Sequence, residues 1–127
     1  MSQYADVVEI VAPAQAAPGD RVDITVRVRN TYSDPIAIMV NGALEYGVSP
    51  WPDIDFPENS ANVDGGATYS FGGSFIMPGG RVTIHAYSYW YGSDGYWYFD
   101  DEITKVVNLM SLSPQVSEFK IADFYRV

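Results

Sequence analysis

Pro18-Gly19-Asp20-Arg21-Val22-Asp23-Ile24-Thr25-Val26-Arg27-Val28-Arg29-Asn30-Thr31 decides the fold. A Pro-Gly turn leads into apolar β-branched residues at every second position. Val22, Ile24, Val26 and Val28 share one side, and Arg21, Asp23, Thr25, Arg27 and Arg29 share the other. Successive side chains of a strand point to opposite faces, so this alternation describes a half-buried antiparallel strand.

The same grammar recurs outward in both directions. Asp6 to Val11 makes an earlier strand, closed by a loop over 12–19 whose Ala-rich run is cut by Pro13 and Pro18. After Asn30 to Pro35 a further strand begins at Ile36, with Ile36, Ile38 and Val40 alternating; Asn41-Gly42 is a turn or bulge, and Ala43 to Val48 continues it or forms another strand. Residues 49–66 carry three prolines in a short space and are expected to be irregular or to lie on a sheet edge. Ala67 to Met77 is a strand with Tyr69, Phe71, Phe75 and Met77 on one face, and its Gly72-Gly73 pair signals a bulge or a close backbone approach. Arg81 to Tyr91 and Tyr96 to Leu109 are joined by Gly92-Ser93-Asp94-Gly95, a hairpin signal.

No helical periodicity interrupts this pattern. Short strands punctuated by turn residues give the expected class: an all-β, immunoglobulin-like antiparallel β-sandwich of seven to eight strands, with a closed barrel as the alternative. The sandwich is expected over residues 1–112. Residues 113–127 are expected to form a strand-like arm or an edge strand, set off by the break around Pro114.

Composition narrows the function. The chain has 127 residues, enough for one domain with its own core. It has no cysteine, which excludes disulfides and thiolate metal sites. A formal net charge of −9 with only seven Lys and Arg argues against nucleic acid as a partner, because phosphate binding needs clustered basic side chains. No run approaches the roughly 18 apolar residues of a membrane helix, so membrane insertion is not expected. The start, Met1-Ser2-Gln3-Tyr4-Ala5-Asp6, lacks the basic and apolar regions of a secretory signal.

Pro13 to Thr31, together with Gly66 to Phe71, Ser74 to Pro78 and Val82 to Ile84, resembles bacterial and archaeal cell-adhesion-related immunoglobulin-like (CARDB-like) domains. Tyr87-Ser88-Tyr89-Trp90 and Asp100-Asp101-Glu102 resemble variants in repeat-bearing surface proteins and phage virion proteins. The resemblance spans about Asp6 to Leu109; the proline-rich insertion at 49–59 and the segment from Pro114 depart from it. It implies a structural or adhesive role and brings no catalytic residues.

Three groups of residues carry chemistry. His85 is the only histidine, so a site with two histidine ligands is excluded, and no nucleophile elbow accompanies it. Asp100, Asp101 and Glu102, with Asp94 nearby, and Asp53, Asp55 and Glu58 are acid groups. They are weighed as a cation site, as the carboxylate pair of a glycoside hydrolase, or as edge charges that discourage sheet-to-sheet pairing; the edge reading leads. No cofactor or metal is expected. The third group is the aromatic hairpin Tyr87, Tyr89, Trp90, Tyr91, Tyr96, Trp97, Tyr98 and Phe99. Alternation puts Trp90 in the core with Trp97 or Tyr98, and leaves a tyrosine stripe outside.

The expected interface is therefore Tyr87, Tyr89, Tyr91, Tyr96 and Tyr98, joined by Phe119, Ile121, Phe124 and Tyr125 of the arm. The expected function is a non-enzymatic assembly protein, such as a capsid decoration or minor tail component of a virion made in the host cytoplasm. Its partners would be other virion or surface subunits or further copies of itself. The alternative is a carbohydrate-binding or adhesion module at a cell surface, with a glycan as ligand.

Overall fold

The computed structural model describes residues 3–110. Those residues form eight strands and no helix: β1 (Ala5–Val11), β2 (Gln15–Ala16), β3 (Arg21–Asn30), β4 (Ile36–Glu45), β5 (Ser60–Val63), β6 (Thr68–Ile76), β7 (Val82–Tyr91) and β8 (Trp97–Leu109). Two sheets result, a three-stranded one in the order β1-β3-β6 and a five-stranded one in the order β2-β8-β7-β4-β5. All pairings are antiparallel except the short β2–β8 pair.

The core lies between the sheets. β3 alternates as its sequence demands: Val22, Ile24, Val26 and Val28 are buried, and the residues between them face water or are half covered. From the facing sheet, Ile38, Val40, Val82, Ile84, Ala86 and Val107 meet them, with Phe71, Phe75 and Met77 filling the rest. Each of these side chains larger than alanine contributes on the order of 1.5–3 kcal/mol through the apolar surface it removes from water. Among the described residues two polar side chains are fully buried, and both are satisfied. Ser88 Oγ donates to the Ala5 carbonyl (2.6 Å). Asn30 Nδ2 donates to the carbonyls of Asp34 and Val63, both at 2.9 Å, while its Oδ1 accepts from the Tyr32 amide.

Several local expectations change. β4 runs unbroken through Asn41-Gly42, and β6 runs through Gly72-Gly73 in continuous register with Thr25 and Ile24. Gly42 and Gly73 serve close approach instead of bulging, whereas Gly72 faces open space. A Cβ on Gly42 would stand 2.9 Å from Ile54 Cδ1, and one on Gly73 would stand 2.6 Å from Phe56 Cε1. Ile54 and Phe56 belong to the proline-rich stretch, which is more ordered than its composition suggested. It pairs with β4 at Ala43–Asp53 and with β6 at Asp55–Ser74. The segment thus straps the two sheets together along one side, and Ile54 is buried beneath it. β5 has one buried side chain, Val63, and β2 one, Ala16, too few for alternation to reveal either strand.

Candidate functional site

The outer face of the five-stranded sheet is built from β7 and its neighbours. Because Val82, Ile84, Ala86 and Ser88 turn inward, Thr83, His85, Tyr87, Tyr89 and Tyr91 turn outward. Residues directly opposite in an antiparallel pair share a face, so β8 adds Thr104 beside His85, Glu102 beside Tyr87, Phe99 beside Tyr89 and Trp97 beside Tyr91. β4 adds Ala43 beside His85, Asn41 beside Tyr87 and Met39 beside Tyr89.

One inserted residue sorts the aromatic side chains of the hairpin. Ser88 opposes Asp101 and Tyr89 opposes Phe99, so Asp100 is an extra residue in β8. Such a bulge exchanges the faces of everything beyond it. Tyr98 therefore lies on the side of Trp90 and stacks on it (centroids 4.9 Å apart, planes at 27°). The expected outward stripe is corrected accordingly. Tyr87, Tyr89 and Tyr91 are on the outer face, Tyr98 is on the opposite one, and Tyr96 stands in the hairpin loop before β8 begins. Trp97 and Phe99 take the outward places, and Phe99 is 57% exposed. Phe119, Ile121, Phe124 and Tyr125, and the proposed arm as a whole, lie outside the described residues.

The outward rings pack edge to face. Phe99 meets Tyr89 at 71° and Tyr87 at 57°, and Tyr91 meets Trp97 at 64°. Farther along, Trp51 from the strap stacks on the His85 ring at 4.5 Å. Sequence gave no signal for Trp51, because its place follows from the strap's pairing with β4. A cleft of about 360 Å³ opens between the strap and β7, lined by Asp53, Ile54, Asn41, Tyr87 and Tyr89 among others.

His85 is held from both sides. Its Nδ1 lies 2.7 Å from Glu102 Oε2, and its Nε2 lies 2.9 Å from Glu45 Oε1. Carboxylates only accept, so both contacts are hydrogen bonds when both ring nitrogens carry protons. Burial opposes the charged imidazolium, but the hydrogen bonds to Glu102 and Glu45 outweigh it and raise the His85 pKa above 6.5. With both nitrogens occupied, the ring presents none to a ligand. Burial also raises the Tyr87 phenol above its ordinary value, with the Glu102 charge adding to it.

The acidic triplet divides its work. Asp100 accepts from the amides of Gln3, Tyr4 and Ala5, and Asp101 Oδ2 accepts from the Val7 amide at 2.9 Å. β1 is an edge strand of the other sheet. The two carboxylates thus satisfy edge amides that would otherwise invite pairing with another chain. Glu102 turns to His85 instead. Among the described residues no group of three or more His, Asp or Glu side chains is arranged to hold a metal ion.

A second concavity lies at one end of the sandwich. It is an open groove of about 710 Å³ between the loop after β3 and the β7–β8 hairpin loop, with Tyr4, Tyr32, Ile36, Trp90 and Tyr91 in its wall.

No family model matches the chain, and no curated protein matches its sequence. Solved structures do resemble it. The alkylpurine DNA glycosylase AlkC of Pseudomonas fluorescens aligns with a TM-score of 0.61 at 14% identity, over 85% of this chain and 31% of that one. The sporulation control protein Spo0M of Bacillus subtilis aligns at 0.52 and 17% identity, over 86% and 50%. A cycloisomaltooligosaccharide glucanotransferase of Paenibacillus aligns at 0.53 and 24% identity, over 84% and 14%. This chain thus spans half or less of each of these proteins, and at such identities the likeness is one of fold.

Proposed function

We propose that this chain is a non-catalytic binding module that docks a partner protein on the outer face of its five-stranded sheet. The observation that carries the reading is the aromatic stripe across β7 and β8, in which exposed Phe99, Tyr91 and Trp97 stand beside half-buried Tyr87 and Tyr89. Aromatic side chains concentrate in the centres of protein interfaces, with polar groups at the rim. Here the rim is acidic, with Glu45, Glu102 and Asp53 beside the stripe. Two copies meeting through this face would set like charges against each other, so the partner is a different surface with an apolar centre and basic margins. In a repeating assembly such as a virion, weak contacts of this kind sum to firm attachment.

The sugar-platform alternative has less support. Phe99, the most exposed ring, is tilted 57° to Tyr87 and 71° to Tyr89, and Tyr91 is tilted 64° to Trp97, so neither pairing makes a flat platform for a saccharide. The immunoglobulin-like arrangement belongs to the same proposal. It is supported by a sandwich in which β1, β3 and β6 make one sheet while β4, β7 and β8 make the centre of the other.

A photo-crosslinking residue placed at Phe99, compared with one at Thr25 on the outer face of the other sheet, tests the reading in the native host. A discrete adduct from position 99 that Tyr89→Glu suppresses, and that position 25 does not give, is the expected result. Equal labelling from both positions, or none from 99, would contradict it.

A further inference from the structure

We propose that the groove at the Tyr32 end of the sandwich is a binding site for a quaternary ammonium group. Four aromatic side chains, Tyr4, Tyr32, Trp90 and Tyr91, contribute to its wall, and no Lys, Arg or His does. Aromatic faces carry negative potential and attract large, weakly hydrated organic cations, most strongly where several rings surround the charge. Asp34 sits beside the wall residue Pro35, and Asp94 sits between the wall residues Ser93 and Gly95. Each of the two loops thus carries a carboxylate residue next to wall residues, within a chain of net charge −9. No carboxylate residue is among those lining the wall. A small inorganic cation would find no oxygen cage there, and an anion would find no positive partner.

The wall is assembled in advance. Tyr4 packs edge-on against both Tyr32 (5.0 Å, 65°) and Trp90 (4.8 Å, 88°). The Tyr4 amide donates to Asp100, and its carbonyl accepts from the Thr31 amide. Buried Asn30 holds the loop that carries Tyr32, accepting from the Tyr32 amide and donating to the Asp34 carbonyl. Tyr98 backs the Trp90 ring, and its hydroxyl donates to Asp94, which keeps that carboxyl below its ordinary pKa. The rings therefore need little reordering to receive a ligand, which lowers the cost of binding.

The same chemistry occurs on a free choline-like molecule and on a trimethylated lysine side chain. Titration of the isotope-labelled full chain, followed by NMR, separates the sources. The probes are tetramethylammonium, choline and a trimethyllysine peptide, with 3,3-dimethylbutanol as the uncharged isostere of choline. Expected are saturable shifts of the Trp90 indole N–H and of the Gly92, Ser93 and Gly95 amides with the cations. The stronger of choline and peptide identifies the source. Tyr32→Ala, at an exposed position, weakens binding roughly tenfold, the scale of one cation–π contact, while Tyr32→Phe preserves it. Shifts as large with the neutral alcohol, no saturable shift with any cation, or undiminished binding in Tyr32→Ala would overturn the proposal. The groove shares Tyr91 with the outer face but includes neither Phe99 nor Tyr89, and Tyr32 belongs to the groove alone, so either reading can fail while the other stands.

Discussion

β3 and the β7–β8 hairpin obey the same rule and differ by a single residue. In β3 every second side chain from Val22 to Val28 is buried and the strand pairs in unbroken register with β6. In the hairpin the alternation holds along β7 as far as Tyr91, but β8 carries Asp100 as an extra residue. Beyond it, the side chains that simple counting sends outward turn to the other side. The lesson is that period-two patterns assign faces only between bulges. In this protein the bulge decides which aromatic rings of β8 are left for a partner and which one stacks on Trp90.

The comparison can be broken most severely in the core. Phe71 is 1% exposed and Phe99 is 57% exposed. Phe71→Ala is expected to cost about 3–5 kcal/mol, the usual range for a buried phenylalanine. Urea unfolding measures it, and a loss under about 1 kcal/mol would mean that the sandwich core is not packed as described.

Asp100→Ala removes the acceptor of three β1 amides at once. The expected loss is about 1–2 kcal/mol, below the sum of three charged hydrogen bonds because water reaches part of the site. Amide exchange at Ala5 should quicken, while exchange in the middle of β3 stays slow. Uniform quickening of both strands would show that Asp100 does not act on the β1 edge in particular.

The His85 bridge sharpens the contrast through pH. Its folded pKa is raised above 6.5, so its stabilisation is fully present below about pH 6.5 and is lost as pH rises through the higher folded value. Wild-type stability should therefore fall over that interval, relative to His85→Gln, in which this slope is absent. The opposite slope would mean that the neutral ring is the form the fold prefers. The smallest expected effect is that of Phe99→Ala on folding, under about 1 kcal/mol, since most of the ring faces water.

Much of the architecture was legible because burial on one face writes itself as alternation. β3, β6 and β7 are plain for that reason. The short strands were not legible, since Gln15–Ala16 and Ser60–Val63 each bury one side chain. The strap over 49–59 was hidden by its prolines; it is held through backbone hydrogen bonds such as Ile54 N–H to the Gly42 carbonyl, 2.9 Å, which leave no periodic trace. Of the site, Tyr87, Tyr89 and Tyr91 could be placed from β7 alone. Trp97, Phe99 and Tyr98 could not, because nothing in Phe99-Asp100-Asp101-Glu102 marks which acid is the inserted one. Its position emerges only when Asp100 is seen reaching the β1 amides.

Side-chain nuclear Overhauser contacts across the hairpin test the central claim, that the Asp100 bulge sorts the aromatic rings, more directly than any energy. The account predicts cross-peaks between Tyr98 and Trp90 and between Phe99 and Tyr89, with none between Tyr98 and Tyr89. Contacts of Phe99 with Trp90, or of Tyr98 with Tyr89, would contradict it and return the outer face to the stripe that uninterrupted alternation describes.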